Sequence, residues 1–315
     1  MIIVTGGAGF IGSNLVKTLN DRGRSDVVVV DDMEDGSKFR NLVDCDILDL
    51  VNKDAFLARI EAGGAPPERP DVVFHLGACS DTMEWDGRFM LRTNYEYSKA
   101  LLAYCAERQT PLVYASSAAV YGTGPVFREE RPYEKPLNMY AYSKLLFDQH
   151  VRRVRTGLGS QVVGLRYFNV YGPREGHKLE MASVAYKLHA QLLESDRVRL
   201  FKGSEGYADG EQRRDFIWVG DAVAVTLWFW EHPEQNGIFN VGTGQSQTFN
   251  DVARAVIAYH GRGELEYVSM PESLKDRYQS FTQADISALR KAGYDAPFLT
   301  VEEGVPLYLR WLEGH

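Results

Sequence analysis

Ile2-Ile3-Val4-Thr5-Gly6-Gly7-Ala8-Gly9-Phe10-Ile11-Gly12 runs from four β-branched residues into a glycine-rich turn and then into residues at helical spacing. The glycines satisfy both the G-x-G-x-x-G and the G-x-x-G-x-x-G spacings. In a strand–turn–helix context they allow a tight turn, let backbone approach a pyrophosphate, and let the helix pack closely on the strand. The helix N-terminus adds unpaired N–H groups and a partial positive charge. A glycine-rich turn without a ligand is the alternative, and the position directly behind a strand argues against it.

Outward from this turn, short apolar runs alternate with helical patterns, as in βαβ units feeding a parallel sheet. The runs Ile2–Thr5, Val27–Val30, Val72–His75, Leu112–Ser116 and Gln161–Arg166 predict strands. Most are continuously apolar, as expected of a sheet covered by helices on both faces. The spacing predicts helices over Ile11–Arg22, Lys53–Glu61, Phe89–Arg108 and Tyr142–Arg155. After Asn169 the pattern is irregular: a helix near Ser183–Leu193, a short strand near Arg199–Phe201, a surface loop over Gly203–Gln212 and a helix over Asp221–Trp230. The expected architecture is α/β: a Rossmann-type doubly wound parallel sheet over residues 1–168, then a smaller mixed α/β lobe over 169–315 with some segments returning to the first. Ligands of such sheets sit beyond the carboxyl ends of the strands.

Composition narrows the class. The 315 residues are 44% hydrophobic and 25% charged, enough for a sizeable core. A net charge of -8 argues against nucleic-acid binding, which needs clustered cations, and Arg152, Arg153 and Arg155 read as a solvated helix face. The three cysteines, Cys45, Cys79 and Cys105, fit neither a zinc site nor a disulfide framework, so no metal and a reducing cytoplasm are expected. No apolar stretch reaches the ~20 residues of a membrane span.

Asp31 and Asp32 end the second strand, about twenty residues past the turn, where an acidic side chain accepts hydrogen bonds from an adenosine ribose and suggests NAD. Lys38 and Arg40 follow, and a cation there suits the 2′-phosphate of NADP. Residue pattern alone leaves both cofactors open.

Tyr140 and Lys144 stand four apart in Tyr140-Ala141-Tyr142-Ser143-Lys144, hence on one helix face. A free phenol titrates near ~10, so half ionisation at pH 7 needs about three units, or roughly 4 kcal/mol, of phenolate stabilisation. A nearby ammonium and an oxidised nicotinamide ring supply positive charge for that purpose. Tyr114-Ala115-Ser116-Ser117 carries hydroxyls to the carboxyl edge of a strand, and Ser117 is the candidate for polarising a substrate hydroxyl. Tyr142 reads as packing, and Glu84-Trp85-Asp86-Gly87 either caps the following helix through Asp86 or places an indole against a sugar.

Together these motifs resemble the extended short-chain dehydrogenase/reductase superfamily. Within it, Met1–Asn14, Gly77–Ser80, Glu84–Gly87, Tyr133–Tyr140, Arg166–Lys178 and Phe281–Asp285 are similar to the ADP-L-glycero-D-manno-heptose 6-epimerase family over nearly the whole length. Glu175-Gly176-His177-Lys178 is the part that separates this family from other nucleotide-sugar enzymes. The resemblance implies inversion at C6 of an ADP-activated heptose, in the supply of lipopolysaccharide core precursor, by transient oxidation with bound NADP. It implies Ser117, Tyr140, Lys144 and Lys178 as catalytic residues, Lys178 being a second acid/base. For the cofactor it implies Gly6, Gly9, Phe10, Ile11, Gly12, Asp31, Asp32, Lys38, Lys53, Leu76, Gly77, Ala78, Cys79, Ser80, Lys144 and Val170. Asn169, Phe201, Lys202, Gly203, Ser204, Arg214 and Tyr278 match its substrate positions. Glu180 stands there in place of Ser and Lys187 in place of His, and Tyr207–Gln212 makes a longer loop. The family also implies a homo-oligomer, a pentamer.

Three rival readings differ in chemistry. A UDP-hexose 4-epimerase keeps the same Ser, Tyr and Lys. A nucleotide-sugar 4,6-dehydratase needs an extra acid and base beside the serine, where this chain has Ala118 and Ala119. A nonenzymatic dinucleotide sensor has no need of the Tyr140–Lys144 pair.

Overall fold

The structure is a computed structural model, and it describes residues 1–63, 69–271 and 279–314. In chain order its strands are β1 (Ile2–Thr5), β2 (Val27–Asp31), β3 (Asp49–Asn52), β4 (Val72–His75), β5 (Leu112–Ser117), β6 (Val162–Tyr167), β7 (Asn169–Tyr171), β8 (Arg197–Phe201), β9 (Arg213–Arg214), β10 (Phe216–Trp218), β11 (Gly237–Val241), β12 (Gln247–Thr248) and β13 (Glu264–Val268). The first helices are α1 (Phe10–Asp21), α2 (Lys53–Glu61), α3 (Gly87–Met90), α4 (Tyr97–Glu107) and α5 (Met139–Val154). Then come α6 (Val184–Glu194), α7 (Val219–Glu231) and α8 (Phe249–His260), with further helices at Ser287–Ala292 and Val301–Gly314.

Seven strands form the main sheet in the order β11-β6-β5-β4-β1-β2-β3. The pairings of β1 with β2 and β4, of β2 with β3 and of β4 with β5 are parallel. Every residue of β1, β2, β4 and β6 is buried, which is why these strands read as unbroken apolar runs. Edge strand β3 is Asp49-Leu50-Val51-Asn52 with only Val51 buried, so it lacked that signature and the sequence reading passed over it. Strand order reverses between β1 and β4, which makes the crevice at their carboxyl ends the topological switch point.

The chain divides into two compact units. One comprises Met1–Val120, Pro136–Arg166 and Val223–Phe239; the other comprises Tyr121–Lys135, Tyr167–Ala222 and Asn240–His315. The second unit thus takes in a short segment ahead of residue 169, and α7 crosses the division. Its own core joins Tyr171, Leu188, Val198, Phe216, Val256 and Tyr308, among others, across α6, α8 and the C-terminal helix. Three two-stranded pairings, β10 with β7, β12 with β9 and β13 with β8, frame it. No helix among the described residues is long and apolar enough to cross a membrane, and no cluster of three metal-ligating side chains occurs among them.

The helical pattern over Phe89–Arg108 is interrupted. Asp86 caps α3, its carboxylate accepting from the Arg88 and Phe89 amides at 3.0 and 3.1 Å, and residues Leu91–Glu96 then wind as a π-helix between α3 and α4. The wider turn carries Asn94, whose amide donates to the Cys79 carbonyl and the Ser143 hydroxyl. Tyr142, expected to pack, is 43% exposed: it lies on the outer face of α5, while its neighbours Ala141 and Ser143 are buried.

Candidate active site

At the switch point the backbone is packed too tightly for side chains. Gly6 has φ +67°, and a Cβ there would lie 2.6 Å from Gly77 Cα. A Cβ on Gly12 would lie 2.1 Å from the Gly6 carbonyl oxygen. Gly9 stands at the N-cap of α1 and brings no side chain to the positive end of the helix dipole, with Phe10, Ile11 and Gly12 forming the first turn. Leu76 to Ser80 follow β4 beside the turn, with the Leu76 and Gly77 amides donating to Thr5 carbonyl and hydroxyl oxygens. Bare backbone at a helix N-terminus, closed on itself by glycine contacts, fits the pyrophosphate of a dinucleotide.

Beyond β2 the structure gathers Asp31, Asp32, Lys38 and Lys53. Lys38 Nζ donates to Asp31 Oδ1 at 3.1 Å and Asp32 Oδ1 at 2.9 Å, and Lys53 Nζ to Asp32 Oδ2 at 3.0 Å. Burial opposes ionisation of Asp32, yet the two ammonium groups outweigh it and hold the carboxyl well below the usual carboxylate range. Asp31 accepts the Ala8 amide at 3.0 Å, so its buried carboxylate also pins the glycine turn. Arg40, the other candidate cation, stacks its guanidinium over Phe39.

Helix α5 begins at Met139 because Asn138 caps it, accepting from the Ala141 amide at 2.8 Å. That start places Tyr140 and Lys144 on one face, one turn apart. The hydroxyls of Tyr140 and Ser117 share a hydrogen bond that favours the phenolate, but burial acts more strongly and raises the phenol above its ordinary value. The ammonium expected to draw it down donates instead to the Ala115 carbonyl, at 2.8 Å. Burial lowers Lys144 to about 8, with the Asp148 carboxylate the first of the groups opposing.

Sequence reading missed the residues beneath this pair. Asn94 joins Cys79, in the segment after β4, to Ser143 on α5. His75 on β4 bonds Thr5 and Ser98 at 2.7 and 2.8 Å. Asp148, fully buried, accepts from Tyr114, Ser116 and Arg166. The signal for Asp148 was available: an acidic residue one turn beyond Lys144, among Leu145, Phe147 and Val151.

The second unit holds the remaining candidates. Asn169 and Val170 lie on β7, and the Asn169 side-chain oxygen accepts from Thr282 at 3.2 Å. Lys178 sits in a short 3-10 segment, Gly176–Met181, between two non-glycine residues at positive φ, Arg174 (71°) and Leu179 (47°). Burial lowers its amine, Glu175 opposes and Lys187 reinforces the shift. Glu175 is itself fully buried and accepts the Ser183 amide at 2.7 Å and hydroxyl at 2.6 Å. Glu180 and Lys187 meet, Lys187 Nζ donating to the Glu180 carbonyl at 2.5 Å. Phe201 ends β8, and the turn after it closes on Gln212, whose amide donates to the Lys202 carbonyl and the Ser204 hydroxyl. Gly203 is needed there, since a Cβ would lie 2.1 Å from the Tyr207 carbonyl oxygen. Arg214 is not an ordinary surface arginine: it is 7% exposed, on β9, with its guanidinium 5.5 Å over Phe249. Tyr278 lies outside the described residues.

Residues 2–242 match the model of the NAD dependent epimerase/dehydratase family. The chain is 60% identical over 311 residues to the ADP-L-glycero-D-manno-heptose-6-epimerase of Alkalilimnicola ehrlichii, covering 98% of this chain and 96% of that one. The crystal structure of the Helicobacter pylori ADP-L-glycero-D-manno-heptose-6-epimerase superposes with a TM-score of 0.85 at 30% identity, over 100% and 96% of the two chains. A UDP-N-acetylglucosamine 4-epimerase from Methanobrevibacter ruminantium also gives 0.85, at 26% identity over 99% and 98%. The chain belongs to the NAD dependent epimerase/dehydratase family, among its ADP-L-glycero-D-manno-heptose-6-epimerases.

Proposed function

We propose that the protein is an isomerase that inverts C6 of the heptose in ADP-glycero-manno-heptose, with NADP held in the first unit. The observation that carries the reading is the 60% identity, spread over 98% of the chain, to a protein of that name. UDP-sugar epimerases share the fold at markedly lower identity.

When bound, the nicotinamide would supply a reversible hydride acceptor, so that the reaction has no net redox change. The chain's part is proton transfer and placement. Tyr140 exchanges the proton of the C6 hydroxyl, and Ser117, whose hydroxyl acts on the phenol of Tyr140, holds the same oxygen. Lys144 fixes the helix on the Ala115 carbonyl, one turn from the phenol. Inversion presents the ketone by opposite faces, and Lys178, with its amine lowered toward the working range, serves as acid/base for the face that Tyr140 does not.

NADP is favoured over NAD because two ammonium groups converge at one site. Lys38 and Lys53 are both held by Asp32, ready to exchange that carboxylate for a 2′-phosphate. Asn169, Lys202, Ser204, Arg214 and the Glu180–Lys187 pair are the proposed sugar-nucleotide contacts, and the active form is a cytoplasmic homo-oligomer.

A panel of ADP- and UDP-sugars, scored by NMR for inversion at each carbon, tests the reading. Inversion at C6 of the ADP-heptose alone is expected; inversion at C4 of a UDP-hexose would replace it. Mass spectrometry of the supernatant after denaturation should find NADP, and NAD alone would show that Asp31 and Asp32 dominate over the lysines.

A further inference from the structure

Behind the Tyr140–Lys144 face lies a second charged cluster, drawn from three elements of the first unit. Asp148 on α5 and Arg166 on β6 are both fully buried. Asp148 Oδ2 accepts from Arg166 Nε at 2.9 Å and Nη2 at 2.8 Å, and from the Ser116 hydroxyl at 2.9 Å. Asp148 Oδ1 accepts from the Tyr114 hydroxyl at 2.9 Å. Tyr114 and Ser116 are alternate residues of β5, hence on one face of the strand.

Desolvating two full charges offsets most of their attraction, so stability alone is a weak reason for an ion pair at zero exposure. Its location gives a better one. Helix α5 is fastened to β5 at two points one turn apart: Lys144 on the Ala115 carbonyl, and Asp148 on the Tyr114 and Ser116 hydroxyls. Between them these bonds fix Ser116, and with it Ser117, the partner of Tyr140.

We propose that Asp148, oriented by Arg166, is a positioning residue for the catalytic pair, holding α5 in register with the serine-bearing strand and its own carboxylate near Lys144. The proposal rests on the reading of Tyr140 and Lys144 as catalytic. The groups facing Lys144 are few. From its own helix there are Asp148 and Tyr140; from β4 and the segment after it there are His75 and Cys79. Burial and Lys144 push His75 down to about 3, so it is neutral through the working range, and burial pushes the Cys79 thiol up. Asp148 is thus the carboxylate among these groups, and it favours the protonated amine.

The test follows the Lys144 amine directly, in intact protein carrying its copurified cofactor and 13Cε-labelled lysine, with the resonance assigned by its loss in Lys144→Arg. Lys144 should titrate near pH 8 in the parent protein. Asp148→Asn should lower that midpoint by about one unit and draw the alkaline limb of kcat down with it. Asp148→Asn alone strands a buried guanidinium and can unfold the protein. Asp148→Asn with Arg166→Met removes both charges, keeps the volume, and should fold and shift the midpoint downward by less than the single variant, because the Arg166 charge leaves with it. Tyr114→Phe disturbs the same packing without touching charge and should leave the midpoint in place. A folded double variant with the parent midpoint would overturn the proposal, as would a shift in Tyr114→Phe as large as that of the double variant. Because the midpoint is read without substrate, absence of epimerase activity in the parent protein would sink the functional reading and leave this result standing.

Discussion

The two proposed acid/base groups are held in opposite ways. Tyr140 rises from the first turn of a regular 16-residue helix, capped by Asn138 and fastened through Lys144 to the neighbouring strand. Lys178 stands in a six-residue 3-10 segment with Leu179 at φ 47°, ψ -115°, a conformation outside the allowed regions of a branched side chain. What replaces helix rigidity there is the buried Glu175, bonded across the turn to the Ser183 amide and hydroxyl at the start of α6. Regular structure places one group; stored strain and a buried carboxylate place the other. Such a turn holds a geometry that a helix cannot offer, at a cost in stability.

The largest expected effect falls on the regular side. Tyr140→Phe removes one hydroxyl and little packing, so it should lose ~10²–10⁴-fold in turnover while retaining cofactor, measured by initial rates and by absorbance of the purified protein. Near-normal turnover would remove Tyr140 from the chemistry.

Lys178→Met should cost about 10²-fold in epimerisation, at the lower end for an acid/base group, with cofactor content unchanged. A single-turnover dismutation of an aldehyde analogue needs only one face served and should be affected less. Equal losses in the two assays would assign Lys178 to substrate binding.

Lys144 allows a stability test with a definite sign. The unfolded lysine keeps its proton to the ordinary value of 10.5 but the folded one only to about 8, so the unfolded state binds more protons between them. This group therefore destabilises the fold below pH 8 and is relieved as pH rises through that window. Lys144→Met should be more stable than the parent by about 1–3 kcal/mol at pH 7, the gap closing toward pH 10, by urea denaturation. A constant gap would show that packing, not charge, separates the two.

The smallest effect sharpens the strained side. Leu179 is 74% exposed, so replacing it loses little burial. Leu179→Gly should stabilise by about 1 kcal/mol by releasing the backbone and still lower kcat, because Lys178 is then held less firmly. A gain in kcat would mean that the strain has no part in placing the amine.

Legibility in the sequence followed the same division. The fully buried strands, the glycine turn and the Tyr140–Lys144 spacing are periodic or local features, and a linear reading finds them. Strand β3 escaped because an edge strand with one buried residue has no apolar run, and the π-turn at Asn94 because its cause is a side chain bonded to Cys79, fifteen residues away. Asp148, Arg166 and Glu175 were in plain view as residue types, yet their roles depend on burial and on partners in other elements. Lys178 was found by resemblance, since no periodicity marks a strained turn.

Transient oxidation at C6 is most directly tested with ADP-glycero-manno-heptose carrying deuterium at C6, followed by NMR in ordinary water. Hydride removed from C6 and returned to the opposite face keeps the label, so the account predicts inversion at C6 with deuterium retained there. Inversion accompanied by loss of deuterium to solvent would mean that C6 is deprotonated rather than oxidised, and would contradict it.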